Sequence, residues 1–182
     1  PQSLESAGYR YSSAVAANDV MTHLPFRLNH DRLYRSETAV YEFPITVEDE
    51  KDPPMDGRVE DAVELAGKIS RYGGLFVILI HPNVTAEKLR FLKIFSERMR
   101  EKAWWGTLRE FGDWWTARDG IEADVVLSGD RRVLRLSSPL TVRGLGIRLP
   151  DGLRIAAPPG ANGTFVIDLP AGVTELELEL EP

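Results

Sequence analysis

His81 is the side chain in this 182-residue chain best placed to move a proton. It ends six consecutive apolar residues, LFVILI at 75–80, and is followed by Pro82 and Asn83. Imidazole titrates near neutral pH, so a positioned histidine can act as general acid or base. A histidine at a strand end can equally be satisfied by a backbone carbonyl, and position alone leaves both readings open. Glu42 stands inside a second apolar stretch, AVYEFPIT at 39–46. Alternation along a strand sends its carboxylate either into a barrel mouth or outward to a helix. Asp19 sits in a long irregular segment from which it could reach the same mouth. Asn83 shares the loop of His81, which makes it a further candidate for substrate contact. For Asp19 and Glu42 a structural role is the standing alternative.

Other chemistries find less support. The remaining histidines, His23 and His30, lie in one irregular segment without helical spacing, so no metal site is expected within this chain. Cysteine is absent, which excludes disulfides, thiolate ligands and a cysteine nucleophile. Gly144 and Gly146 lie among strand-like residues, not in a phosphate loop between strand and helix, and no G-x-S-x-G elbow occurs. A net charge of −6 without a dense basic stretch argues against nucleic-acid binding. No apolar run approaches the ~20 residues of a membrane span. The pairs Trp104-Trp105 and Trp114-Trp115 could stack on sugars, but one member of each is expected in a core and the other at a domain junction.

The elements that must position these residues follow from hydrophobic spacing. A near-continuous apolar run such as 75–80 belongs to a parallel strand covered on both faces. Before it, Val59, Ala62, Val63, Ala66 and Ile69 form one helical stripe ended by Gly73-Gly74. After it, Thr85 reads as the N-cap of a helix over 86–102, with Leu89, Phe91, Leu92, Ile94, Phe95 and Met99 as a broad apolar face. Helix, strand and helix in this order indicate βα units, in which chemistry sits at the carboxyl ends of the strands. Residues 3–8 read as a helix end, 9–14 as a short strand, 16–35 as a loop and 48–56 as an acidic surface loop. Thr107 and Glu110 have capping-box spacing, so another helix begins at Leu108.

Near Gly120 the period changes to two. Leu145, Ile147 and Leu149, then Phe165, Ile167 and Leu169, then Leu176, Leu178 and Leu180 alternate with other residues. Turn signals at Ser128-Gly129-Asp130, Pro150-Asp151-Gly152 and Pro158-Pro159-Gly160 punctuate them, indicating an antiparallel sandwich. The glutamates of the last strand read as a solvated face that discourages edge pairing. Expected organisation is therefore 1–120 as βα units and 121–182 as a small all-β sandwich. A chain that opens Pro1-Gln2-Ser3 without methionine is expected to be part of something longer.

GYRYSS at 8–13, YEFPIT at 41–46, VILIHPN at 77–83 and WWGTLREFGDWWTARD at 104–119 together resemble the C-terminal half of the polysaccharide deacetylases, the family-four carbohydrate esterases. Leu79-Ile80-His81 is similar to the family's last motif. The resemblance implies a (β/α) barrel, removal of acetyl groups from N-acetylated sugar polymers, and His81 as general acid toward the leaving amine. It also implies a divalent metal such as zinc. The family's metal-binding aspartate and histidines would lie upstream of Pro1, so the metal is expected in a longer parent and not in this chain. An extracellular or cell-envelope setting is implied likewise.

Two functions are carried forward. In the first, the chain is the C-terminal part of a deacetylase-like hydrolase, inactive alone, acting on a polysaccharide. Asp19, Glu42 and Asn83 then lie near the substrate, and a missing N-terminal portion or a second copy completes the barrel. In the second, the chain is a non-catalytic carbohydrate-binding or structural module with a degenerate barrel.

Overall fold

A computed structural model describes residues 1–30, 37–83, 86–156 and 164–180. Thr85 and the turn at Pro158-Pro159-Gly160 lie outside the described residues. The chain divides into two compact units, Pro1–Leu108 and Arg109–Pro182.

A single extended segment with a break at Phe43-Pro44 runs through the first unit. Its first half is β3 (Glu37–Glu42) and its second β4 (Ile45–Glu48). β1 (Tyr11–Ser12) lies parallel to β3 on one side, and β2 (Phe26–Asn29) lies antiparallel on the other. Beyond the break, β4 pairs in parallel with β5 (Val77–Leu79). Ahead of β1 stands α1 (Gln2–Ser6), and a short α2 (Ala17–Val20) follows β1. Gly8 adopts the left-handed φ of 79° just past α1, the conformation glycine adopts without a Cβ penalty. β2 and α2 fall within a segment that the sequence reads as loop. Each is four residues long, too short to show a period.

α3 (Val59–Ser70) follows a 3-10 turn at Met55–Arg58 and leads to β5, which leads to α4 (Ala86–Met99). Met55, Val59, Ala62 and Ala66 meet Phe91, Phe95 and Met99 in one core, with Val47, Phe76, Ile78 and Ile80 of the β4–β5 side packed on it. Both helices therefore cover one face of a two-stranded sheet. This corrects the expectation for 75–80. The strand is three residues long and half-buried, because Phe76, Ile78 and Ile80 face the helices while Leu75, Val77 and Leu79 alternate to the other side. α4 is corrected too: its buried stripe is Lys88, Phe91, Phe95 and Met99, while Leu89 and Ile94 are exposed.

In the second unit, α5 (Leu108–Asp119, with all but its first residue here) precedes β6 (Glu122–Ser128), β7 (Arg131–Ser138), β8 (Val142–Ile147), β9 (Leu153–Ile155), β10 (Phe165–Leu169) and β11 (Gly172–Leu180). β6 and β7 form a hairpin through Gly129-Asp130, with Gly129 at a φ of 64°. Four strands make an antiparallel sheet ordered β6-β7-β11-β9, and β8 pairs with β10 separately. Leu134, Leu136, Val142, Leu145, Ile155, Leu169 and Leu178 share a core with Ala117 of α5, and Trp114 packs against it.

The acidic last strand is not an edge. β11 lies between β7 and β9, and its glutamates meet arginines: Glu175 pairs with Arg135 at 2.7 Å, Glu179 with Arg154 at 2.5 Å and Glu177 with Arg131 at 3.5 Å. Opposite charges across strands favour this register.

The expected (β/α) barrel followed by an all-β sandwich is not the fold found. Among the described residues no barrel closes, and the strands lie in four small sheets with five α-helices. Pro44 is the local reason in the first unit. It has no N–H to donate to a ladder, and beyond it β5 replaces β2 as a neighbour, while residues 12–16 stay alongside through the Ala16–Ile45 bridge.

Phe91 is fully buried and stacks on Phe95 with ring centroids 5.5 Å apart. Replacing it with alanine is expected to destabilise the first unit by about 3–5 kcal/mol, read as a lower urea midpoint with an unchanged slope.

Candidate functional site

The carboxyl ends of β4 and β5 bring three ionisable side chains together. Asp49 follows β4, His81 follows β5, and Lys88 lies in the first turn of α4. Parallel pairing makes the two strand ends coincide, since Glu48 is in register with Leu79. His81 Nδ1–H donates to Asp49 Oδ1 at 2.8 Å, and the His81 backbone N–H donates to Oδ2 at 3.1 Å. The Lys88 ammonium donates to Oδ2 of the same carboxylate. It also donates to the Asn83 backbone carbonyl at 3.2 Å and to Asn83 Oδ1 at 3.0 Å.

Burial separates the partners. The Asp49 side chain is 1% exposed and that of Lys88 9%, while His81 remains 42% exposed. Lys88 holds the Asp49 carboxyl far below the usual carboxylate range, assisted by the two His81 hydrogen bonds against the opposing effect of burial. The hydrogen bond from His81 to Asp49 raises the histidine pKa, with desolvation acting the other way. An ionised Asp49 accepts only, so the proton of neutral His81 sits on Nδ1 and Nε2 carries the free lone pair. Nε2 has no hydrogen-bond partner among the described residues. Glu50, largely exposed, approaches Nδ1 at 3.6 Å. The arrangement is a carboxylate-oriented imidazole with one nitrogen available for proton transfer.

The other sequence candidates sit as follows. Asn83 is anchored by Lys88. Asp19 is exposed in α2, and its charge contributes to raising the pKa of Lys51, whose main cause is the hydrogen bond to Glu48. Glu42 points neither to an open mouth nor to a helix. It is 1% exposed, and Oε1 accepts the backbone N–H groups of Ala14 at 2.6 Å and Val15 at 3.0 Å. Those amides lie where residues 12–15 bulge alongside 43–45, between the bonds from Phe43 N–H to Ser12 O and from Ile45 N–H to Val15 O. His23 Nδ1 lies 3.3 Å from Thr46 Oγ1, with its pKa lowered by burial, and His30 Nε2 lies 3.4 Å from Glu5. Among the described residues no three His, Asp or Glu side chains converge to hold a metal ion. The divalent metal implied by the resemblance therefore has no fitting ligand set among them.

Sequence reasoning missed Asp49 and Lys88. No local signal marks Asp49, which lies among other acids in 48–52 and is singled out only by the pairing of β4 with β5. Lys88 was legible as the i−3 neighbour of Phe91 on the buried stripe of α4. The tryptophans also divide differently. Trp115 is buried and Trp114 donates its Nε1–H to Arg143 O at 2.8 Å, whereas Trp104 is 63% exposed and Trp105 leans edge-on against Phe95. No protein-family model, curated protein or solved structure matches this chain.

Two substitutions test the geometry. Glu42→Ala leaves the part-buried amides of Ala14 and Val15 without their acceptor and is expected to cost about 1–3 kcal/mol in urea unfolding. For Asp49, whose pKa is lowered on folding, the stabilisation is present above the unfolded value of 3.8 and is lost as pH falls below it. The stability gap between wild type and Asp49→Asn is therefore expected to be wide at pH 7 and to narrow at pH 3.

Proposed function

We propose that this chain supplies the proton-transfer residue of a polysaccharide deacetylase-like hydrolase acting on N-acetylated sugars. The observation that carries the reading is the 2.8 Å bond from His81 Nδ1 to a buried carboxylate at the carboxyl ends of two parallel strands. The Leu79-Ile80-His81 resemblance supports the substrate class. In this role His81 donates a proton from Nε2 to the departing amine nitrogen as the C–N bond breaks. A raised pKa suits that task, because it keeps the imidazolium populated near neutral pH. Asp49 holds the ring and its tautomer, as an orienting carboxylate does in other hydrolases. A divalent metal, when bound, would polarise the acetyl carbonyl and activate water. The described side chains of this chain contribute the acid and not that ion's ligands.

A non-catalytic sugar-binding module is the second reading, and exposed Trp104 favours it, since an indole face can stack on a sugar ring. One titration separates the two. N-acetylglucosamine oligomers are added to the chain while the His81 ring signals and tryptophan fluorescence are followed. The hydrolase reading expects His81 to shift, with weaker binding in Asp49→Asn. Fluorescence change with a silent His81 transfers the function to the tryptophans, and no response in either at millimolar ligand overturns both. In an acetate-release assay with added zinc or cobalt, this polypeptide alone is expected to stay at the buffer rate; sustained turnover would contradict that division of labour.

A further inference from the structure

Lys88 occupies a position that the spacing of α4 reserves for an apolar side chain. The buried stripe runs Lys88, Phe91, Phe95 and Met99, at intervals of three, four and four residues. An ammonium has three donors, and three acceptors surround this one: Asp49 Oδ2, Asn83 O at 3.2 Å and Asn83 Oδ1 at 3.0 Å. These contacts tie the start of α4 to the segment after β4 and to the segment after β5. Asp49 is thereby shared between a standing cation and an imidazole that changes charge.

We propose that Lys88 is a positioning residue that fixes residues 81–83 against Asp49 and shares the carboxylate, so that His81 can release a proton as well as hold one. The charges facing His81 are Asp49 and Glu50 from the segment after β4 and Lys88 from α4. The two carboxylates favour the imidazolium; Lys88 opposes it by like-charge repulsion. With Lys88 removed, the buried Asp49 carboxylate keeps the imidazolium as its nearest counter-ion, and the pair gives up its proton only at higher pH. Lys88 thus keeps Asp49 and His81 from locking as a permanent ion pair. Only the use made of that proton rests on the deacetylase-like reading.

The test is a titration of the His81 ring nitrogens by 1H–15N NMR on the full chain without any sugar, so its failure is distinguishable from failure of the oligosaccharide experiment. Lys88→Met is expected to move the His81 midpoint upward, and Lys88→Arg, which retains the charge, to leave it near wild type. A folded Lys88→Met with an unchanged or lower midpoint overturns the proposal. Should Lys88→Met not fold, the wild-type ammonium decides: a slowly exchanging Lys88 Nζ signal supports the clamp, and exchange at the rate of exposed lysines overturns it.

Discussion

A carboxylate removed from water must find a partner for each oxygen, or its burial is strongly unfavourable. Asp49 meets that constraint with three donors: the His81 ring, the His81 backbone and Lys88. The arrangement needs β4 and β5 to end level with one another and α4 to begin just beyond them. Parallel pairing supplies the first condition. The second comes from the core of Phe91, Phe95 and Met99, which sets the roll of α4 and so delivers Lys88 to the strand ends. Hydrophobic packing therefore determines where the Lys88 charge is held, and the Asp49 carboxylate it meets determines which histidine nitrogen stays free.

Glu42 shows the same economy applied to structure alone. Its carboxylate sits in the interior of the first unit and serves two consecutive backbone amides at a bulge, where strand pairing cannot serve them. An acid inside a strand thus acts as a substitute carbonyl. In the second unit acids are handled by solvent and by neighbours: Glu175 and Glu179 each bind an arginine on an adjacent strand and remain partly exposed. Such exposed pairs contribute little stability apiece, and their larger effect is to select the register in which the strands meet.

Much of the local structure was legible in the sequence, and the larger assembly was not. α3 and α5 stand where stripe and capping-box spacing put them, because a twelve-residue helix carries about three turns of its 3.6-residue period, enough to be read. Strand partners are set by contacts between distant residues, which no local period records. Hence the run at 75–80 was over-read: six apolar residues implied burial on both faces, but only one face found helices. His81 stood out because a lone histidine ends that run. Asp49 and Lys88 did not, because one was hidden among other acids in 48–52 and the other replaced an apolar residue within a stripe.

The position of β11 has a consequence for the order of events during synthesis. It is the last strand in sequence among those described, yet it lies between β7 and β9 in the four-stranded sheet. The β6–β7 hairpin can form from neighbouring residues, but β9 has no place to dock until residues 172–180 have left the ribosome. A nascent chain halted before that point would present the inner edge of β7 with its backbone groups unpaired. Closure of this unit therefore waits for residues 172–180 and is governed by contacts of long sequence separation.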